Sequence, residues 1–504
     1  MTQVPPELAG HVVLSGGDGE LSTTPEELSA MVRALTIHGK GVLHFHGGLV
    51  SEEKGLAVAR ELLPVYQEAG AYPMFFVWRS DIVSVLRGNL EEIAKEEIFQ
   101  RLLKKVLSYA AGKVREELGG ARGPARGPAG GLLPESPVTV DEELDRRERE
   151  EEPFAELPTA EDVPELTDAE LAEFGDEIAV DDELLANVEV AVRRADPDAE
   201  PVGSRGGVTR TQASATSLMD PDAIAELQSR PGGAPSRFGF ETAALVKKAV
   251  KVLVAVIRRH RSGRWHGLYA TVVEEILREF YLANAGATIW ATMKRDTLDT
   301  FTPGDKPRGG ERFLAELARA LPAQDTPAIT LVGHSTGAVF INNLLGAVDM
   351  ARAKGNGGLP ADFRFRNVVF LAPACTFTDF ARVVERRDHL WQRFRMFTMT
   401  DDAERADRVF SFVYPHSLLY LVSGLFERDA KGGSEGGKPL IGLERWCKGT
   451  EDQPKELPAV RALLQGDAES VAWSPGALSG AIRHGDFDND PLVKESLKRL
   501  IAEP

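Results

Sequence analysis

Residues 328–345 read AITLVGHSTGAVFINNLL. The apolar run at 328–332 is short enough for a buried strand, and the apolar stretch at 338–345 continues as a helix. Between them lies Gly333-His334-Ser335-Thr336-Gly337, a G-x-S-x-G pentapeptide in a strand-turn-helix setting. So sharp a turn puts Ser335 in a strained backbone conformation. The flanking glycines avoid side-chain clashes, and the hydroxyl projects above the carboxyl edge of a sheet.

The same alternation is found on either side of this stretch. From Gly41 an apolar run (Val42, Leu43, Phe45) ends at His46-Gly47-Gly48. Residues 51–68 then carry Leu56, Ala57, Ala59, Leu62, Leu63 and Val65 at helical spacing, and a second apolar run occupies 74–78. The order β-α-β predicts a parallel sheet with a crossover helix. Further strands are expected at 368–371, 396–399 and, more weakly, 471–473, with a terminal helix at 492–501. The fold class is α/β, a mostly parallel sheet flanked by helices.

About 200 residues separate the two halves of this pattern. The chain is read as a first part of the sheet domain (1–85), a cap helix (86–118), a disordered acidic insertion (119–235), a helical cap (236–300) and the second part of the sheet domain (301–504). The net charge is -18 over 504 residues, but residues 135–200 hold 25 acidic and 5 basic side chains. The remainder holds 52 acidic and 54 basic residues and is close to neutral. High charge with sparse aromatics cannot bury enough surface to offset the entropy of ordering, hence the expectation of disorder. The second cap segment carries Trp265, Tyr269, Phe280, Tyr281 and Trp290 as packing anchors.

Composition excludes several functions. No broad basic face is present, so a nucleic-acid binder is not expected. Two cysteines, Cys375 and Cys447, build no disulfide framework, and the N-terminus lacks a basic flank and an apolar core, so the expected setting is reducing and cytoplasmic. The apolar stretch 243–257 is interrupted by Lys247, Lys248 and Lys251 and falls short of the roughly 20 residues of a membrane span.

With its strand, turn and helix, the Gly333–Gly337 pentapeptide resembles the nucleophile turn of the α/β-hydrolase superfamily, in particular its lipase- and esterase-like members. The resemblance covers roughly residues 35–85 and 290–504 and implies a Ser-His-Asp triad with Ser335 as nucleophile. It implies an oxyanion hole in the loop after an early strand, where His46-Gly47-Gly48 stands, with backbone N–H groups from Gly47 or Gly48 and from Thr336. In this superfamily the acid follows a later strand, which points to Asp401 or Asp402, with Glu404 and Asp407 close behind. The histidine comes last. Of the two histidines beyond the Asp pair, His484 lies in a loop just before the terminal helix and is the expected base, and His416 at a helix N-terminus is read as structural.

The loop Asp486-Phe487-Asp488-Asn489-Asp490 has the first three ligand spacings of a calcium loop. Pro491 and Leu497 stand where glycine and a bidentate glutamate are required, so it fails that test. His44 and His46 form an H-x-H pair without the further ligands of a dinuclear site. No metal or other cofactor is expected. The basic residues Lys247, Lys248, Lys251, Arg258, Arg259, Arg261 and Arg264 suit either a packed cap helix or a lid on an anionic membrane surface. The acidic insertion folding back on that helix as a salt-sensitive cover over the site is a third arrangement. The expected activity is hydrolysis of small-molecule or lipid carboxylic esters. An amidase or peptidase with the same triad, and a non-catalytic scaffold, are the alternatives.

Overall fold

The computed structural model describes residues 4–15, 21–48, 51–78, 82–117, 166–195, 218–229, 240–281, 285–302, 308–322, 325–353, 359–409, 414–427, 436–448, 458–465 and 470–503. Seven strands form one sheet: β1 (Val12–Ser15), β2 (Lys40–Phe45), β3 (Tyr72–Trp78), β4 (Ala328–His334), β5 (Phe365–Leu371), β6 (Trp391–Met399) and β7 (Val471–Ser474). Their order is β1-β3-β2-β4-β5-β6-β7, and every pairing is parallel. The central strands are buried along nearly their whole length, as helices on both faces of a parallel sheet require.

Chain order turns round between β2 and β4. From β2 the chain passes to β3, which inserts between β2 and β1, and from β4 it passes the other way, so the loops leaving β2 and β4 diverge and open a crevice at their carboxyl ends. The register pairs Phe45 with Gly333, which sets His46-Gly47-Gly48 beside His334-Ser335-Thr336. Two elements escape the sequence pattern: edge strand β1, only four residues long, and the helix Pro25–His38. The helix begins with a capping box in which Thr24 and Glu27 satisfy each other's backbone N–H groups.

The disorder expected over 119–235 is corrected for the described part of that stretch. Helices Asp168–Ala179, Asp182–Ala195 and Pro221–Gln228 lie within it. Their polar character conceals narrow apolar faces: Phe174, Ile178, Leu184, Leu185, Val188 and Leu227 are fully or nearly fully buried. The first two helices pack on Thr242–Arg261 and on Glu97–Glu117. Lys113 reaches Glu170 at 2.5 Å and Lys105 reaches Asp181 at 3.1 Å. The rest of the acidic stretch, including 135–165, lies outside the described residues.

The basic helix Thr242–Arg261 belongs to the interior. Leu245, Ala249, Val252, Leu253, Val256 and Ile257 are buried, so its apolar face is already covered by protein and is not offered to a bilayer. Three of its cations are paired as well: Lys248 with Glu226 and Glu279, Lys251 with Glu279, and the buried Arg259 with Glu274 and Glu275. No helix among the described residues is long and apolar enough to cross a membrane.

Candidate functional site

Ser335 sits between β4 and the helix Gly337–Ala353 with φ of 53°. A left-handed conformation costs a non-glycine residue roughly 1–2 kcal/mol, so something must hold it. Three backbone hydrogen bonds do so: Ser335 N–H donates to the Leu371 carbonyl at 2.8 Å, and the Ser335 carbonyl accepts from Ala374 at 3.1 Å and Ala338 at 3.2 Å. The glycines are steric requirements. A Cβ at Gly337 would press into the Phe45 carbonyl, and one at Gly333 would lie 2.7 Å from Gly337 and from the Ile341 side chain.

The loop after β2 lies against this turn. A Cβ at Gly47 would stand 3.5 Å from that of Ser335, an ordinary contact distance. Gly48 donates its backbone N–H to the Thr336 hydroxyl. Of the two glycines expected to serve an oxyanion, Gly48 is therefore already engaged. Among the described residues no hydrogen bond takes up the backbone N–H of Gly47 or Thr336. His46 fixes the loop from below: its Nε2 accepts the Trp78 N–H at 3.1 Å, so its Nδ1 carries the proton and donates to the Gly47 carbonyl at 2.6 Å. Burial pushes the ring down to about 4, which keeps it neutral.

His484 lies between β7 and the terminal helix Pro491–Ala502, buried at 7% exposure. Its peptide is held at both ends: the N–H donates to Asp407 Oδ2 at 2.8 Å, and the carbonyl accepts from His334 Nε2 at 2.9 Å. Neither ring nitrogen has a hydrogen-bond partner among the described residues. Burial, with the neighbouring His334 charge second and Asp488 opposing, takes the His484 ring down to about 3.

Gly47, Ser335, Asp402 and His484 line one cavity of about 1400 Å³. Its wall also carries Lys54, Asp407, Arg408 and Arg483 beside Val58, Val409, Leu418, Pro475 and Ile482, so it is apolar with charged margins. The two expected acids part company. Asp401 accepts from the Tyr420 hydroxyl at 2.5 Å and its backbone N–H donates to Glu444, which directs it away from the cavity's other groups. Asp402 lines the cavity but makes no hydrogen bond with His484. Nor does either aspartate cap the helix Asp401–Ala406, since Thr400 is its N-cap. His416 lies between the carbonyls of Arg405 and His266, remote from Ser335 in role.

The Asp486-x-Asp488-x-Asp490 spacing turns out to organise the loop itself. Asp486 accepts from the Ile482 N–H and Asp490 caps the terminal helix through the Val493 N–H. Asp488 accepts from His334 Nδ1 at 2.6 Å. In chain order His334 precedes the acid, outside the sequence Ser, acid, His that the resemblance implies, and Asp488 stands there only as a failed calcium ligand. No local signal joins residues 154 positions apart. Among the described residues no group of three or more His, Cys, Asp or Glu side chains is arranged to hold a metal ion. None of the cavity-lining residues comes from the helices within 166–229, so a cover formed by them over the site is not seen.

Among the described residues the cap approaches the loop after β2 through one of its helices. The helix Ala285–Asp299 brings the Met293 sulfur to 2.5 Å from where a Gly48 Cβ would stand. It is latched to the sheet domain by Trp290 and Lys294, which both donate to Glu427, and by Thr297, which accepts from Asn343. No family model, curated protein or solved structure matches the chain.

Proposed function

We propose that the protein is a serine hydrolase of α/β-hydrolase type that cleaves carboxylic esters through an acyl-enzyme. The observation that carries this reading is Ser335 at a positive φ between a parallel strand and a helix, at the crevice where chain order reverses, in one cavity with Gly47 and His484. A surface turn has no need of that strained backbone, held by three hydrogen bonds and two sterically obligatory glycines.

In this reading Ser335 Oγ attacks the acyl carbonyl and its proton passes to His484, whose neutral ring has both nitrogens open. The oxyanion is held by the N–H groups of Gly47 and Thr336. His484 then protonates the leaving alcohol, and water repeats the cycle to release the acid. Each N–H donor of such a hole is worth about 100- to 1000-fold in rate. Asp402 and Asp407, two of the carboxylates that line the cavity, would stabilise the His484 cation as it forms. The apolar part of the cavity wall suits an acyl chain, and ester and amide substrates share every step.

A non-catalytic scaffold is the competing reading, and the observation favouring it is that no carboxylate among the described residues is bonded to the His484 ring. A fluorophosphonate probe separates the two. Wild type is expected to become covalently labelled at Ser335, and Ser335→Ala is expected to remain unlabelled. Equal labelling of both proteins, or of neither, would refute the hydrolase reading.

A further inference from the structure

His334 precedes Ser335 and has no part in the chemistry proposed above, yet it is buried at 6% exposure with both ring nitrogens bonded. Nδ1 lies 2.6 Å from Asp488 Oδ2, and Nε2 lies 2.9 Å from the His484 carbonyl. A carbonyl has no hydrogen to give, and an ionised carboxylate has none either. With Asp488 ionised, each imidazole nitrogen supplies its own proton, and the ring is an imidazolium paired with a buried carboxylate. Burial alone would discharge His334, but Asp488 and the His484 carbonyl hold it above its ordinary value. Burial would likewise raise Asp488, and the His334 charge instead brings it to about 2.

The ion pair bridges two segments that the chemistry needs to hold in register. His334 is covalently joined to the nucleophile and fixed by β4. Asp488 lies four residues beyond His484 in the same loop, and the His484 carbonyl closes the bridge. Around the pair stand His44, with Nε2 3.9 Å from Asp488 Oδ1 and Nδ1 bonded to the Tyr66 hydroxyl, then His46 and the His484 ring. His44 and His46 are neutral, both lowered to about 4 by burial, so the carboxylate's one charged partner there is His334.

We infer that Asp488 and His334 are positioning residues that hold the His484 loop against the Ser335 turn, so that the spacing of base and nucleophile is set by a buried ion pair behind them. This rests on the proposed roles of Ser335 and His484. It explains how a base whose ring has no partner of its own is nonetheless held in place: both ends of its peptide are fastened, one to Asp407 and the other to His334. The arrangement also places a positive charge beside His484, with ring centroids 5.3 Å apart, which disfavours protonation of the resting base.

Two amide replacements separate the bridge's halves. In His334→Gln the amide nitrogen falls near the old Nε2 and keeps the bond to the His484 carbonyl. In His334→Asn it falls near the old Nδ1, keeps Asp488 and abandons the carbonyl. Asp488→Asn preserves shape and removes the charge. The rate of fluorophosphonate acylation of Ser335 would be followed from pH 5 to 9 in the full chain, with thermal unfolding recorded for each protein. His334→Asn, which gives up the His484 carbonyl, is expected to acylate about 100-fold more slowly, the usual penalty of a misplaced reacting group, and Asp488→Asn, which removes the charge but leaves His334 on that carbonyl, about tenfold more slowly. His334→Gln is expected to acylate about tenfold more slowly, because the contact with the His484 carbonyl survives while the pair with Asp488 is lost. Its acid limb should move to higher pH, since the cation beside His484 is gone and the Asp488 charge remains. His334→Asn acylating at the wild-type rate with the wild-type pH profile would overturn the inference.

Imidazole nitrogen resonances of the histidine-labelled wild type give a readout independent of activity and of variant folding. Two protonated nitrogens on His334 at pH 6 are expected, and a single one there would overturn the ion pair. Failure of wild type to label, with those resonances as expected, would remove the hydrolase reading and with it the positioning role, leaving the ion pair standing as a structural bridge.

Discussion

At the residue scale, the site is shaped by atoms that are missing. Gly337 allows the Phe45 carbonyl to pass beneath the first turn of its helix, and Gly333 allows β4 to end against that same turn. Both contacts involve backbone, which cannot swing aside as a side chain would. Gly337→Ala is therefore expected to destabilise the protein by about 3 kcal/mol, at the upper end of what overpacking costs, and to abolish labelling of Ser335. Chemical denaturation and probe labelling check this together, and unchanged stability would show that the close approach of β2 to the turn is wrong. Gly346, on the same helix with nothing within 4 Å of its added Cβ, is the control: Gly346→Ala should leave labelling intact.

At the scale of elements, the cap is held by a polar interior. Arg259 Nη1 pairs with Glu274 at 2.5 Å and Glu275 at 2.9 Å, and Glu274 also accepts from the Tyr414 hydroxyl and contacts His266 at 2.8 Å. Burial would raise Glu274, but the Arg259 charge first, then His266 and Tyr414, hold it well below the usual carboxylate range. Removing one partner leaves charges stranded in a dry interior. Arg259→Met is expected to cost about 3–5 kcal/mol, whereas the exposed neighbour Arg258→Met should stay within about 0.5 kcal/mol. Denaturant unfolding of the two variants measures the contrast. Equal effects would show that the buried network does not hold the cap.

For the whole molecule, buried neutral histidines set the response to acid. Burial first of all lowers His44, His46 and His266 to about 4 and His484 to about 3, against about 6.5 for an unperturbed imidazole. Between these values the unfolded chain binds protons that the folded chain refuses. Their contribution to stability is thus complete above about pH 6.5 and is lost as pH falls toward 4. Four such groups give a slope on the order of 5 kcal/mol per pH unit near pH 5. Asp488, lowered to about 2, loses its own contribution only as pH falls below its ordinary value. His334 has the opposite sign: raised by its partners, it stabilises the fold at low pH and loses that contribution as pH rises through its folded value. Unfolding free energies at pH 7, 6 and 5 test the balance, and a slope of one proton or less near pH 5 would show that these rings are not held neutral inside.

Sequence alone determined the elements that carry their own periodicity or stereochemistry. Strands β2 to β7, the helix after the Ser335 turn and the need for glycine on either side of Ser335 follow from local pattern, because burial on both faces demands apolar runs and a left-handed turn demands space. The capping box at Thr24 was equally local and marks a helix the apolar pattern overlooks. The helices within 166–229 were hidden because their apolar faces are narrow and their charge dominates any average over the segment. Tertiary structure alone decided the partners. It sends Asp401 to Tyr420 while Asp402 faces the cavity, engages Gly48 with Thr336, and joins His334 to Asp488 across 154 positions. Charge and hydrogen bonding act through distances of a few ångströms, and nothing in chain order records which distant side chains the fold will bring that close.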